Sequence, residues 1–167
     1  MSPREWGLVA VAGALLTDQL SKIVLLYALG FATLAPGVRV LATPFLDVVM
    51  AWNPGVSFSF FAAHSIIGIV ALIVIAVAGI GGLSFWLWRA TRILLAVGLG
   101  LVIGGAIGNL VDRLVYGRVA DFFDIHALGR GFFVCNLADV AISLGVLLLL
   151  LDVVGDGDTA ATARGAE

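Results

Sequence analysis

Two aspartates stand where this chain could carry out acid–base chemistry. Asp121 lies in the segment VADFFD and Asp139 lies in CNLADVAIS, each beside a long apolar run. The third and fourth apolar runs would bring both carboxyls to the same membrane face. Two carboxyls in contact share one proton, because they cannot both ionise cheaply. The ionised one can then take a proton from water while the protonated one polarises a scissile carbonyl.

The pair of aspartates leaves two interpretations open. One is an aspartyl hydrolase, and the other is a proton-coupled transporter, since acids inside a membrane also mark proton paths. A transporter would need polar residues through the whole depth of the bilayer. The segments Ile93–Val102 and Gly145–Leu151 are apolar apart from glycines, which disfavours a continuous path.

The composition indicates a membrane protein. Apolar residues make up 62% of the 167 residues and charged residues 12%, and the mean hydropathy is +1.15. Soluble domains average about 45–50% apolar and about 25% charged. A soluble core of this size could not bury so much apolar surface. The net charge of −2 offers no basic field for nucleic acid, and the single cysteine excludes an internal disulfide.

Four apolar windows predict four transmembrane helices in one domain that covers residues 1–167. A membrane helix needs about 20 mostly apolar residues. The first window continues well past the small residues at Ala10–Ala12, so we interpret it as a retained span and not as a cleaved signal peptide. The windows are Trp6–Leu29, Ala63–Trp88, Ile93–Val111 and Asn136–Val154.

Strand-like runs occupy the two longer connections. FLDVVMAW spans Phe45–Trp52, and the segment Asp112–Cys135 contains VADFFDI and FFV around the turn-like GRG. Exposed strands cannot stand in lipid. We therefore predict an all-α membrane protein with a small extracytoplasmic β-element packed over the bundle. The small, polar tail Gly155–Glu167 is predicted to be disordered.

The arginines give a prediction of orientation. Arg89 and Arg92 lie in the short connection between the second and third spans, and Arg4 precedes the first span. The other side carries Arg39, Arg113, Arg118 and Arg130, so a raw count of arginines does not decide the orientation. The arginines of a tight loop beside helix ends weigh most, and they favour the cytoplasm. Both termini are therefore expected in the cytoplasm, with the aspartates near the extracytoplasmic face.

The first span carries two charges that lipid disfavours. Asp18 and Lys22 are four residues apart and share a helix face. Each charge costs about 2.5 to 3.5 kcal/mol at a helix centre, so the pair should turn toward the bundle interior. It is either a structural salt bridge alone or a salt bridge that also braces an active site.

The third and fourth spans each combine close packing with polar residues at one end. The glycines that recur every four residues in the third span permit close helix approach, and an Asp–Arg pair is expected at its outer end. In the fourth span, three polar residues share one face. The glycine stripe is Gly100, Gly104 and Gly108. The adjoining stripe of the third span is Gly105, Asn109 and Asp112 or Arg113. The polar face of the fourth span is Asn136, Asp139 and Ser143. Asp47, inside a strand-like run, is expected to face water.

Five ordered blocks give the chain a family resemblance. It resembles lipoprotein signal peptidase, also called signal peptidase II, of bacterial inner membranes. One block alone would be weak, whereas five in order on a four-span chain are very specific. The blocks are DQLSK (Asp18–Lys22), NPGVSFS (Asn53–Ser59), GGAIGNLVDR (Gly104–Arg113), VADFFD (Val119–Asp124) and NLAD (Asn136–Asp139).

The resemblance implies an activity and roles for residues. It implies a monomeric aspartyl protease of the inner membrane that cuts diacylglyceryl-modified prolipoproteins just before the lipidated cysteine, in contact with membrane lipids and with no metal or organic cofactor. Asp121 and Asp139 would be the catalytic dyad. The residues lining the site would be Asn53, Asn109, Arg113 and Asn136, and the supporting residues would be Asp18, Lys22, Gly105, Gly108 and Asp112.

The sequence departs from the family pattern at one position. Cys135 stands where the family usually has phenylalanine, which concerns local packing and not the chemistry. The loop Asn53–Phe61 contains Phe58, Phe60 and Phe61, which would form either an apolar rim over the substrate's acyl chains or an anchor in the membrane.

Overall fold

The computed structural model describes residues 1–35, 38–55, 66–127 and 130–164 of the chain. Its four long helices are each long and apolar enough to cross a membrane, which confirms the predicted all-α membrane class. The first helix continues as a π-helical turn over Val24–Ala28, and a 3-10 turn follows at Phe31–Thr33. The helices are α1 (Pro3–Ile23), α2 (Ile66–Trp88), α3 (Ile93–Tyr116) and α4 (Leu137–Arg164).

Two helix ends differ from the sequence prediction. Helix α3 runs past the predicted end at Val111, so Asp112 and Arg113 belong to its last turns. It stops at Gly117, whose φ of 69° lies in the left-handed region that glycine adopts freely. Helix α4 continues to Arg164 across the segment predicted to be disordered. That segment contains no proline and several alanines, so its sequence does not interrupt the helix.

A small antiparallel sheet lies at one end of the bundle, and it confirms the predicted β-element. The strands follow one another in the order β1-β2-β3-β4. Strand β3 follows α3 directly and β4 leads into α4, so the sheet joins the ends of these two helices. The strands are β1 (Arg39–Ala42), β2 (Leu46–Asn53), β3 (Val119–Ala127) and β4 (Arg130–Cys135).

One face of the sheet packs on an apolar core beside α1, and the other face carries Asp121. Side chains alternate between the faces of a strand. Met50, Ala120 and Phe122 pack on one face against Leu26 and Phe31, which lie in the two turns that follow α1. On β3 the neighbouring residue Asp121 therefore points to the other face. This arrangement fixes the sheet on α1 while it leaves the Asp121 face free to meet α3 and α4.

Glycines bring the helices into close contact, as the predicted stripe requires. On α3, Gly100 and Gly104 meet the backbone of α1, whereas Gly105 faces the Ala138 carbonyl of α4. Helix α2 leaves most of its apolar side chains exposed, including Ile75 and Val74. We conclude that α1, α3 and α4 form the packed bundle and that α2 lies at its margin.

Substitution of Gly105 should test the close approach of α3 and α4. In Gly105→Ala the new Cβ would lie 2.5 Å from the Ala138 carbonyl oxygen and 2.8 Å from Ile142 Cγ1. We expect a loss of about 1–3 kcal/mol in unfolding free energy, measured by thermal unfolding in detergent micelles. Gly81→Ala is the matched control, because nothing lies within 4 Å of its Cβ position. Equal melting temperatures for the two variants would contradict this packing.

Candidate active site

Asp139 is held at the start of α4 by a reciprocal pair of hydrogen bonds. The Asn136 side-chain oxygen accepts from the Asp139 backbone N–H at 3.0 Å, and Asp139 Oδ2 accepts from the Asn136 N–H at 3.2 Å. This is the capping-box arrangement, which satisfies two N–H groups that a helix start otherwise leaves unpaired. Asp139 is half-buried. Its carboxylate therefore lies at the positive end of the helix dipole and stays within reach of water.

Asp121 reaches the same site from strand β3 in a more buried setting. It lies opposite Ala51 on β2 and is 2% exposed. Its Oδ1 accepts from Asn136 Nδ2 at 2.7 Å, and its Oδ2 accepts from Asn53 Nδ2 at 3.1 Å. Burial raises the pKa of Asp121 to about 7, the negative charge of Asp139 acts in the same direction, and the two amide hydrogen bonds oppose both effects.

Two asparagines connect the aspartates. Asn109 on α3 donates to Asp139 Oδ1 at 2.9 Å, and its own side-chain oxygen accepts from Asn136 Nδ2 at 3.1 Å. Asn136 therefore binds Asp121 and Asn109 at once. Side chains from β2, β3, α3 and α4 therefore meet in one hydrogen-bonded network that links Asp121 to Asp139 through asparagines.

The four residues expected to line the site all join this network or its edge. Asn136 is fully buried and uses both amide hydrogens and its oxygen within the protein. Asn53 also accepts from the Gly55 N–H at 3.0 Å, which closes a tight turn. Arg113 donates to the backbone carbonyls of Asn109 at 3.2 Å and Gly55 at 2.9 Å. Asn53, Asn109 and Arg113 remain half-buried, so each keeps an accessible edge.

A buried ion triad, which consists of Lys22, Asp18 and Asp112, supports the site. Lys22 Nζ lies 2.7 Å from Asp18 Oδ2 and 2.9 Å from Asp112 Oδ2, and all three residues are at most 2% exposed. Asp18 Oδ1 accepts from the Ala138 N–H at 3.0 Å, and Asp112 Oδ2 accepts from the Ala120 N–H at 3.0 Å. Ala138 and Ala120 immediately precede Asp139 and Asp121. The triad therefore fixes the backbone beside both acids.

Sequence reasoning missed one member of this group. Gln19 donates to Asp18 Oδ2 at 3.0 Å and to the Gly108 carbonyl at 3.3 Å. Gln19 precedes Lys22 by three residues, so helical spacing could have placed it on the same face. It fills the remaining acceptor position on Asp18 and ties α1 to α3.

Two expectations about charge partners were wrong. Asp112 pairs with Lys22 and not with Arg113, because α3 continues as a helix and turns the two consecutive side chains to different sides. Asp47 does not face water: it is 1% exposed and contacts His126 at 3.0 Å and Arg39 at 2.5 Å. The close contact with His126 lowers the pKa of Asp47.

Two further features complete the comparison with the sequence expectations. Cys135 is buried, and this burial raises the pKa of its thiol to about 11, so the thiol is inert as a nucleophile near neutral pH.

The aromatic rim expected at Phe58, Phe60 and Phe61 lies outside the described residues.

Fold and site together define a multi-pass membrane protein with two linked carboxyls beneath a small sheet. The family model described as "Signal peptidase (SPase) II" matches residues 10–155. A lipoprotein signal peptidase of Beijerinckia indica subsp. indica is 41% identical over 167 residues, which cover 100% of this chain and 98% of that protein. Another of Methylocella silvestris is 44% identical over 152 residues, with coverage of 91% and 87%. The chain belongs to the signal peptidase II family and is therefore a protease, which confirms the resemblance.

Solved structures agree on the fold. A bacterial membrane enzyme structure determined by the in meso method at 2.3 Å resolution aligns with a TM-score of 0.78 at 22% identity, covering 92% of this chain and 90% of that one. A second, at 1.9 Å resolution, gives a TM-score of 0.73 at 24% identity, with coverage of 88% and 91%. The helices and the small sheet therefore recur at low sequence identity.

Removal of the triad's cation should destabilise the protein strongly. Lys22→Met leaves Asp18 and Asp112 buried without a positive partner, and breaking a buried pair in this way costs about 3–5 kcal/mol. We expect a large fall in the detergent melting temperature. Adding Asp112→Asn removes one stranded charge, while the amide oxygen can still accept from Ala120, so part of the loss should be recovered. A Lys22→Met variant as stable as the parent protein would exclude this role.

Proposed function

We propose that the protein is an intramembrane aspartyl endopeptidase that removes the signal peptide from diacylglyceryl-modified prolipoproteins, cutting just before the lipidated cysteine. The observation that carries the proposal is the network that joins Asp121 and Asp139 through Asn136 and Asn109. The family membership and the names of the relatives support the substrate class. A proton-coupled transporter, the alternative from another class, gains no support from these relatives.

The two acids have different surroundings, and this difference suggests their roles. Asp139 is half-buried at a helix N-terminus, so its carboxyl stays within reach of a water molecule. Asp121 is buried, and its pKa is raised to about 7, which favours the protonated form near neutral pH. We assign Asp139 as the general base and Asp121 as the general acid.

The assigned protonation states give a balanced mechanism. Asp139 takes a proton from a water molecule, and the water oxygen bonds to the scissile carbonyl carbon. Asp121 gives its proton to the carbonyl oxygen, which forms a neutral tetrahedral gem-diol. Asp139 then passes its proton to the departing cysteine amine as the C–N bond breaks. A gem-diol hydroxyl returns a proton to Asp121, so the dyad regains its starting state.

The amides and the arginine at the edge of the site would hold the substrate. Asn53 and Asn109 each use one amide hydrogen on an aspartate, so the second hydrogen can be donated to a substrate carbonyl. Arg113 spans from α3 to the Gly55 carbonyl and presents a guanidinium beside the dyad. Asn136, fully buried, would act by positioning both aspartates. Asp18, Lys22, Asp112 and the close-packing Gly105 and Gly108 would support the site.

The distribution of charges supports an orientation. Arg4 lies over the Trp88 ring at 5.3 Å, and Arg92 pairs with Asp152 at 2.6 Å, so these two arginines lie at the end of the bundle opposite the sheet. Arg39, Arg113, Arg118 and Arg130 lie on the sheet side, so the orientation rests on the arginines beside the helix ends of the short α2–α3 connection. The pair with Arg92 also accounts for Asp152 near the end of the fourth span. By the positive-inside rule, we propose that both termini are cytoplasmic and that the dyad lies near the extracytoplasmic face of the inner membrane. We further propose that the active form is a monomer.

Replacement of either aspartate should abolish cleavage. Asp121→Asn and Asp139→Asn each keep the side-chain shape but remove an ionisable group. We expect losses of at least about 10²-fold in kcat for a diacylglyceryl-modified prolipoprotein, because acid–base steps contribute about 10²–10⁴-fold. The matched control is Asp124→Asn, which alters the same strand beyond the network. Near-normal cleavage by either dyad variant would show that the assignment is wrong.

The substrate class has its own test. The purified protein should cleave a diacylglyceryl-modified prolipoprotein and leave the same unlipidated precursor intact, as measured by the mass of the products. Equal cleavage of both forms would contradict the lipid requirement. It would not bear on the dyad assignment, which the aspartate substitutions test separately.

The raised pKa of Asp121 predicts a dependence on pH. A carboxyl whose folded pKa lies above its unfolded value is stabilising when protonated, and that contribution is lost as pH rises through the folded value of about 7. Its proton is also the acid in the mechanism. We therefore expect kcat/KM to fall as pH rises above about 7. The melting temperature should fall as pH rises from about 3.8, the ordinary pKa of the carboxyl, to about 7, and should level off above that. Asp121→Asn should reduce this change in melting temperature, and a flat rate profile from acidic to mildly alkaline pH would exclude Asp121 as the acid.

A further inference from the structure

A second cluster of polar side chains lies on the sheet face turned away from the dyad. The Arg118 guanidinium stacks over the Trp52 ring at 4.5 Å, and that ring packs against Tyr116 with 5.3 Å between centroids. The Tyr116 hydroxyl lies 2.7 Å from the Tyr27 hydroxyl. We call these four residues, Tyr27, Trp52, Tyr116 and Arg118, the aromatic–arginine cluster. It joins the ends of α1 and α3 to strand β2.

The cluster is separate from the active site. Trp52 pairs with Ala120 across β2 and β3, and both pack with the core under the sheet, whereas Asp121 points to the opposite face. A substrate held at the dyad would therefore meet the other side of the sheet. Any molecule bound at the cluster would therefore differ from the scissile segment.

The cluster carries the positive charge of Arg118. Arg118 is exposed, and among the described residues no carboxylate forms an ion pair with it. The tyrosine hydroxyls bond each other, which leaves at least one further position for a polar partner. Tyr27 is 61% exposed. An exposed guanidinium stacked on a tryptophan suits an anionic oxygen group such as a phosphate, and the phenol hydroxyls lie next to the same tryptophan.

Exposed apolar side chains lie close to the cluster in sequence, at the ends of two membrane-spanning helices. Leu114 and Val115 in the last turn of α3 are each 64% exposed, and Ile23 and Val24 at the end of α1 are 53% and 48% exposed. Tyrosine and tryptophan prefer the headgroup level of a bilayer. A polar anion site next to exposed apolar helix ends matches the chemistry of a phospholipid, which joins a phosphate to acyl chains.

We propose that the aromatic–arginine cluster binds the phosphate of an anionic phospholipid, whose acyl chains lie along the exposed ends of α1 and α3. The lipid neutralises Arg118 and joins the back of the sheet to the bilayer. A bound lipid would thereby hold strands β2 and β3, which carry Asn53 and Asp121, at a fixed distance from the membrane surface. This site is independent of the dyad chemistry.

Lipid titration of the purified protein tests the proposal. Phosphatidylglycerol added to detergent-solubilised protein should raise the melting temperature, because a ligand that binds only the folded state stabilises it. Diacylglycerol with the same acyl chains and inorganic phosphate alone should give smaller increases. Diacylglycerol that stabilises as strongly as phosphatidylglycerol would overturn the phosphate assignment. Inorganic phosphate that does so would overturn the assignment to a lipid.

Variants of the cluster make the test specific. Arg118→Met should weaken phosphatidylglycerol binding about fivefold, the effect expected of one arginine near a membrane surface, whereas Arg118→Lys should retain most of the affinity. Unchanged affinity in Arg118→Met would overturn the proposal. If Arg118→Met does not fold, Tyr27→Phe replaces it: weaker binding in that variant supports the site, and unchanged binding excludes it. Neither position belongs to the catalytic network, so cleavage chemistry is not affected directly.

Discussion

The structure depends on one buried cation held between two buried carboxylates. Lys22 contacts Asp18 and Asp112 inside an apolar bundle, where an unpaired charge would be very costly. The carboxylate oxygens have further partners, since Asp18 also binds the Ala138 N–H and Asp112 the Ala120 N–H. Between lipid-exposed helices the hydrophobic effect gives little guidance about register, because lipid tails are as apolar as leucine. The triad supplies that register through directional contacts.

The register set by the triad reaches the proposed catalytic groups through the backbone. Ala138 is followed by Asp139 at the start of a helix, and Ala120 is followed by Asp121 in a strand. The two acids therefore enter the same site from different kinds of structure. Asp139 lies beside N–H groups at the positive end of the helix dipole. Asp121 is buried and lies near a negative charge. Two identical side chains thus stand in different electrostatic surroundings.

Much of this arrangement follows from the sequence. Long apolar windows predicted the four helices, and strand-like runs predicted the sheet, because both depend on local composition and spacing. The spacing of Asp18 and Lys22 predicted a shared face, and the family resemblance named the dyad. The Asp112 partner could not be predicted in this way. It depends on α3 continuing to Tyr116 and on α1 lying against it, so that Lys22 and not the adjacent Arg113 comes within reach.

The burial of Asp47 was missed for the same reason. A single charged residue in a strand-like run is expected at the surface, but strand pairing brings His126 and Arg39 to it from both sides. The partners lie far from Asp47 in sequence or across a turn, so no local pattern reveals them. Long-range partners decide whether a carboxylate faces water or is enclosed.

Gly108 shows how close packing and electrostatics depend on each other. A Cβ at this position would lie 2.5 Å from Asp18 Oδ2, and the Gly108 carbonyl accepts from Gln19 at 3.3 Å. The glycine stripe of α3 is usually explained by backbone contact between helices. Here its last member leaves room for a carboxylate, which passes beside α3 to reach the Ala138 N–H at the start of α4. A side chain at this position would displace Asp18 and so loosen the helix start that carries Asp139. The absence of a side chain is therefore a condition for the buried charge that holds the site.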